Sequence, residues 1–185
     1  MEHKNYLEMV TEEIQEAQAR VDNEQLWELA SKLVETDRIF LIGMGRSGFM
    51  ARAFSNRLMH LGKDVHFIGD STTPAVRKGD ALLIGSGSGE TSSLVAMAAK
   101  ARRLGAKVYL VTVSPNSSIA KIADYVVELP GASKLGNYSG VQTQQPMGNL
   151  FEQMSLLVYD SVVMAMMEIM NVNGEEMYAR HANLE

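Results

Sequence analysis

Apolar residues near the start of the chain recur every three or four positions, at Tyr6, Val10, Ile14, Ala17 and Val21, with charged residues between them. That period predicts an amphipathic helix. A second helix is expected from Asn23 to about Glu35. Beyond it the texture changes to short apolar runs that end in small or turn-forming residues: Arg38 to Gly43, Val65 to Gly69, Ala81 to Gly85, Lys107 to Thr112 and Tyr125 to Leu129. These predict five buried strands. Helical segments from Gly48 to Leu61 and from Thr91 to Leu104 separate them, each followed by a glycine, Gly62 or Gly105, suited to ending a helix. Such alternation predicts an α/β fold: a five-stranded parallel sheet flanked by helices in a three-layer αβα sandwich.

From Pro130 to Gly148 the periodicity fades into Gly, Ser, Asn, Gln and Pro, which predicts a long loop, and loops of that length are often functional. The final helix, about Asn149 to Met170, is apolar nearly all round. It is expected either to be buried in the core or to add a subunit interface. No repeat or linker divides the chain. The expected organisation is one domain over 1–185: N-terminal helices to 36, a sheet core over 37–130, an active-site loop over 131–148, and a final helix and tail over 149–185.

Composition narrows the ligand. The chain has 185 residues, a net charge of −5 and no cysteine. It is long enough for one substantial core. Nothing resembles the basic stripe that nucleic acid requires, whereas a small phosphate ester needs only a local pocket of donors. The absence of cysteine removes disulfides and thiolate chemistry. Met1 to Arg20 lacks the apolar core of a signal peptide. The stretch Met154 to Met170 is broken by Asp160, Ser161 and Glu168, so it is a poor membrane span. A cytoplasmic protein is expected, with neither a membrane nor a nucleic-acid partner.

Ligands of open parallel sheets bind beyond the carboxyl ends of the strands, so the loops there matter most. Gly43-Met-Gly45-Arg46-Ser47-Gly48 satisfies the G-x-G-x-x-G dinucleotide pattern, and Asp70 ends the next strand roughly where a ribose-binding acid would stand. A nicotinamide or flavin enzyme is one reading, but glycine permits close approach of any phosphate. The loop Ser86-Gly87-Ser88-Gly89-Glu90-Thr91 places three hydroxyls and several amides before another helix. It can cradle one tetrahedral anion; the plainer alternative is a turn with a helix cap.

Together with Gln145-Pro-Met-Gly-Asn-Leu-Phe-Glu152-Gln and the terminal His181-Ala-Asn-Leu-Glu185, these motifs closely resemble the sugar isomerase (SIS) domain family and, within it, the 6-phospho-3-hexuloisomerases. The likeness runs over essentially the whole chain. It implies that Ser47, Ser86, Ser88 and Thr91 bind a substrate phosphate, helped by the amides of Gly87, Ser88, Gly89, Glu90 and Thr91, and that Glu152 is the proton acceptor. It further implies no metal or nucleotide cofactor, a tetramer in the cytosol, and interconversion of 3-hexulose 6-phosphate with fructose 6-phosphate in the ribulose monophosphate route of formaldehyde handling; the alternatives are another sugar-phosphate isomerase of the same fold or a non-catalytic sugar-phosphate-binding module.

Moving a carbonyl from C3 to C2 means removing the C2 proton, forming a 2,3-enediol and returning a proton at C3, and one carboxylate can perform both transfers. Arg46 is a candidate donor to the enediolate. Glu152 falls in the first turn of the last helix, where the dipole favours its charged form; a working base there should be partly buried. Alone, it could equally be an ordinary first-turn glutamate. His60 lies about 20 Å along its helix from Ser47, so it is structural or acts across an interface. His181, in a short tail after Gly174, could reach a neighbouring subunit's site and assist proton transfer.

Overall fold

Five parallel strands form the centre of the computed structural model, which describes residues 3–133 and 138–184. They are β1 (Arg38–Gly43), β2 (Asp64–Phe67), β3 (Ala81–Gly85), β4 (Lys107–Thr112) and β5 (Tyr125–Glu128), in the order β2-β1-β3-β4-β5. Gly43 pairs with Gly85. The two glycine-ended strands therefore finish level, and their loops emerge side by side. β2 ends two residues before the apolar run does, because the chain turns at Gly69, whose φ of 109° is open to glycine.

Alternate strand residues point to opposite faces, so the continuous apolar runs supply two cores. Ile39, Leu41, Leu83, Val111 and Val127 face one side, where they meet Leu29 and Leu33 of α2 (Asn23–Glu35) and Ala51, Phe54 and Leu58 of α3 (Arg46–His60). Phe40, Ile42, Leu82, Ile84 and Leu110 face the other, against Leu94, Ala98 and Ala101 of α4 (Ser92–Arg103). The division follows from handedness. Parallel crossovers are almost always right-handed, so the β1-to-β2 and β3-to-β4 connections, running in opposite directions, carry α3 and α4 on opposite faces.

Asn5 and Asp22 cap α1 (Tyr6–Gln18) and α2 through side-chain oxygens that accept from Glu8 and Glu24 amides. The last long helix, α5 (Asn149–Met170), packs between α2 and α3, with α1 also against it. It is the one helix among the described residues long and apolar enough to cross a membrane. Here Met154, Val158, Tyr159, Val162 and Met166 are instead buried in the first core. Met164 is 70% exposed, so the helix is not sheathed on all sides within one chain.

The expected long loop after Pro130 is more ordered than the sequence suggested. Gly131–Ala132 (β6) and Tyr138–Ser139 (β7) pair antiparallel, and a 3-10 turn over Pro146–Gly148 leads into α5. Residues 134–137 of that expected loop, and Glu185 of the terminal motif, lie outside the described residues. A short helix absent from the sequence reading, α6 (Gly174–Tyr178), follows α5 and is closed by a reciprocal capping box between Asn173 and Glu176.

Candidate active site

Connections leave the sheet in opposite directions between β1 and β3, and a ligand crevice is expected at such a reversal. A pocket lies there. Met44 and Ser47 line it from the loop after β1, and Gly85 to Ser88 with Thr91 line it from the loop after β3. Ala132 and Ser133 close one side; Met147, Gly148, Phe151 and Glu152 close another. Three helix N-termini, those of α3, α4 and α5, thus border one pocket, and at none of them does a side chain make a capping hydrogen bond. Their positive dipole ends and first-turn amides favour an anion.

The glycine pattern has a packing explanation. A Cβ on Gly43 would stand 2.9 Å from the Gly48 nitrogen, and one on Gly48 would stand 2.5 Å from the Gly43 carbonyl oxygen. The two glycines therefore let the end of β1 touch the first turn of α3. Asp70, the candidate ribose ligand, is outside this pocket and pairs with Arg52 at 3.0 Å.

The hydroxyl loop is braced from within and from behind. Ser86 Oγ accepts from the Gly89 amide at 3.1 Å, and Ser88 Oγ accepts from the Glu90 amide at 3.2 Å. Each hydroxyl, accepting in these bonds, keeps its own proton for donation elsewhere. The amides of Val113 and Ile119 donate to the carbonyls of Gly87 and Gly89 at 3.1 and 3.2 Å, fixing the loop to the chain after β4. Thr91 occupies the N-cap of α4 without a side-chain cap bond, which removes the plain-cap explanation for its hydroxyl.

Glu152 lies opposite that loop, only 2% exposed, in the first turn of α5. The burial expected of a base is present. Arg46 Nη1 stands 3.3 Å from Glu152 Oε2 and donates a very short hydrogen bond to Asn149 Oδ1. The guanidinium expected as a donor to substrate is thus held beside the carboxylate. The approach of the chain to Glu152 is unusual: Met147 and Gly148 both have left-handed backbones, φ 60° and 78°. A non-glycine residue held so costs about 1–2 kcal/mol, which something nearby must offset.

Not every expected residue reaches the pocket. Gly89 and Glu90 shape the loop without lining the cavity: the Glu90 carboxylate accepts from the Ser118 amide at 2.8 Å, and hydrogen bonding with Ser118 holds it below the ordinary glutamate value. His181 lies at the far end of α3, stacked on His60 with ring centroids 5.2 Å apart, and so is away from its own chain's Glu152. Conversely, Ser133, Met147 and Phe151 line the pocket without having been singled out as ligands. The Ser/Gly/Pro texture of 130–148 pointed to the segment of Ser133 and Met147, while Phe151 belongs to the apolar final helix, and no local pattern distinguishes the three. Among the described residues, no group of three His, Asp or Glu side chains could hold a metal ion.

Residues 32–157 match the SIS domain family model. The chain belongs to the SIS domain family. Over its full length it is 43% identical to 3-hexulose-6-phosphate isomerase of Bacillus subtilis, covering 100% of both chains. It is 42% identical to 3-hexulose-6-phosphate isomerase of Mycobacterium gastri, covering 98% of this chain and 90% of the other. Among solved structures it superposes on the Methanococcus jannaschii protein MJ1247, for which a molecular function of 3-hexulose-6-phosphate isomerase was inferred. The TM-score is 0.84 with 30% identity, covering 98% of this chain and 100% of that one.

Proposed function

We propose that this chain is a 3-hexulose-6-phosphate isomerase, interconverting D-arabino-3-hexulose 6-phosphate and D-fructose 6-phosphate through a 2,3-enediol. The observation that carries the proposal is the buried Glu152 carboxylate facing the Ser86–Thr91 hydroxyl loop across one pocket. Phosphate seated on Ser47, Ser86, Ser88 and Thr91 and on the Gly87 amide fixes one end of the sugar. Glu152 takes the C2 proton, the C2–H electron pair becomes the C2–C3 double bond as the C3 carbonyl becomes an enediolate oxygen, one proton passes from the C2 hydroxyl to the C3 oxygen, and the same carboxylic acid returns a proton at C3 as the C2 carbonyl forms. Such proton transfer contributes roughly 10²- to 10⁴-fold, with anchoring and electrostatics supplying the rest. Arg46 orients the carboxylate, Gly89 and Glu90 shape the phosphate loop, and no cofactor is required by this route.

The finer parts of the reading rest on the relatives' activity and on surface character. Exposed Phe49, at 67%, and Met164, at 70%, are consistent with subunit contacts, and a homotetramer would let His181 of one copy assist proton transfer in another. The enzyme would work in the cytoplasm on the ribulose monophosphate route, in formaldehyde fixation or detoxification. Incubation with fructose 6-phosphate in D₂O, followed by NMR, tests the chemistry. Deuterium is expected at C3, and Glu152→Gln should abolish it. Exchange at C1 would indicate an aldose-ketose isomerase, and no exchange at either carbon would sink the proposal.

A further inference from the structure

The strained approach to Glu152 is held from an unexpected quarter. Glu13, in the middle of the N-terminal helix α1, accepts three hydrogen bonds from successive residues: Thr143 Oγ1 to Oε2 at 2.5 Å, the Gln144 amide to Oε1 at 2.8 Å, and Gln145 Nε2 to Oε2 at 3.0 Å. Those residues run directly into Pro146, left-handed Met147 and Gly148, two of which line the pocket, and then into the first turn of α5. The Gln145 amide donates to Thr143 Oγ1 at 3.0 Å, so the three residues form one unit gripped by one carboxylate. Gln145 is 7% exposed, which makes its amide costly to leave without a partner. α1 has further anchors, since Ala17 is fully buried and Ile14 packs on the same core. A carboxylate with both oxygens committed to one segment is a holding device, and the segment it holds sets where Glu152 points.

We infer that Glu13 is a positioning residue for catalysis, clamping 143–145 so that the left-handed pair 147–148 delivers Glu152 to the substrate carbon. The inference rests on the reading of Glu152 as the base. The phosphate loops after β1 and β3 make none of these contacts, so removing the clamp should affect turnover and leave binding nearly intact. The measurement is the rate of C3 exchange in D₂O, normalised to sites counted by calorimetric titration with fructose 6-phosphate, for full-length Glu13→Ala, Glu13→Gln, Thr143→Val and Glu13→Ala/Thr143→Val. Misplacing a reacting group by about 1 Å can cost ~10²-fold. Glu13→Ala should therefore lose about 10- to 100-fold in rate per site, with Kd for fructose 6-phosphate changed by less than about threefold. Glu13→Gln, which keeps the carbonyl that accepts from Gln144, should fall between, and the losses in the double variant should be less than additive because both changes remove the Thr143–Glu13 bond. An unchanged rate per site, a parallel loss of affinity, or additive losses in the double variant would each overturn the clamp. Glu152→Gln in the same series separates the two ideas: if it is inactive while Glu13→Ala is normal, only the clamp fails, and if it remains active, the base assignment fails and the clamp with it.

Discussion

At the scale of single residues, the site is set by where side chains are missing as much as by where they stand. Gly85 lines the pocket floor, and a Cβ there would lie 2.8 Å from the hydroxyl of Tyr159. That tyrosine is 0% exposed, stacks on Phe54 with centroids 4.6 Å apart, and its hydroxyl has no hydrogen-bond partner among the described residues. Burial pushes the phenol well above its ordinary pKa, so it stays neutral. A buried donor left unsatisfied costs about 1–3 kcal/mol. Tyr159→Phe should accordingly stabilise the fold by about 1 kcal/mol, read as a higher urea midpoint with unchanged slope; a lower midpoint would mean that the hydroxyl has a partner.

Among the elements, the hydroxyl loop proposed to hold phosphate is open to disruption by a single change. Gly89 holds φ at 62°, and a Cβ would come within 2.0 Å of Ser117 Oγ. Its amide donates to Ser86 Oγ and its carbonyl accepts from Ile119, so relief of the clash must move the cradle itself. Gly89→Ala is expected to raise Kd for a sugar phosphate at least about tenfold, or ~1.4 kcal/mol, in a protein whose sheet remains folded by circular dichroism. Unaltered affinity would show that the loop tolerates the displacement. That Ser86, Ser88 and Thr91 share one pocket was legible in the sequence because they lie within six consecutive positions. The bracing by Ser117, Ser118 and Ile119 was not, since it depends on β4 lying beside β3.

Across the whole molecule, the C-terminal segment closes back on α3. His181 stacks on buried His60, and Arg180 Nη1 donates to the His60 carbonyl at 3.2 Å. Burial first, then the positive charges of Arg57 and His181, hold His60 below its ordinary value. A histidine depressed in the folded state binds fewer protons there than when released. Its contribution is therefore fully present above the ordinary value of about 6.5 and is lost as pH falls through the depressed one. Amide exchange at Ala179 to His181, corrected for intrinsic rates, should show protection at about pH 7.5 that weakens toward about pH 5; equal protection at both would contradict the docking account.

What the sequence determined by itself was whatever is written in neighbouring positions. The five strands appear as apolar runs because both sheet faces are covered, and the helix ends appear at Gly62 and Gly105, whose backbones are indeed left-handed. Tertiary structure decided which distant residues meet. Arg46 and Asn149 are 103 positions apart, and Glu13 and Thr143 are 130 apart; no local pattern links either pair. The first pair meets at the loop after β1 because the turn at Met147 and Gly148 brings the first turn of α5 beside it, and the second because α1 packs against α5 and so lies beside the segment that leads into it. It also decided that His181 sits beside His60 rather than at its own chain's pocket, because the docked tail reaches the carboxyl end of α3 while the site is built at its amino end.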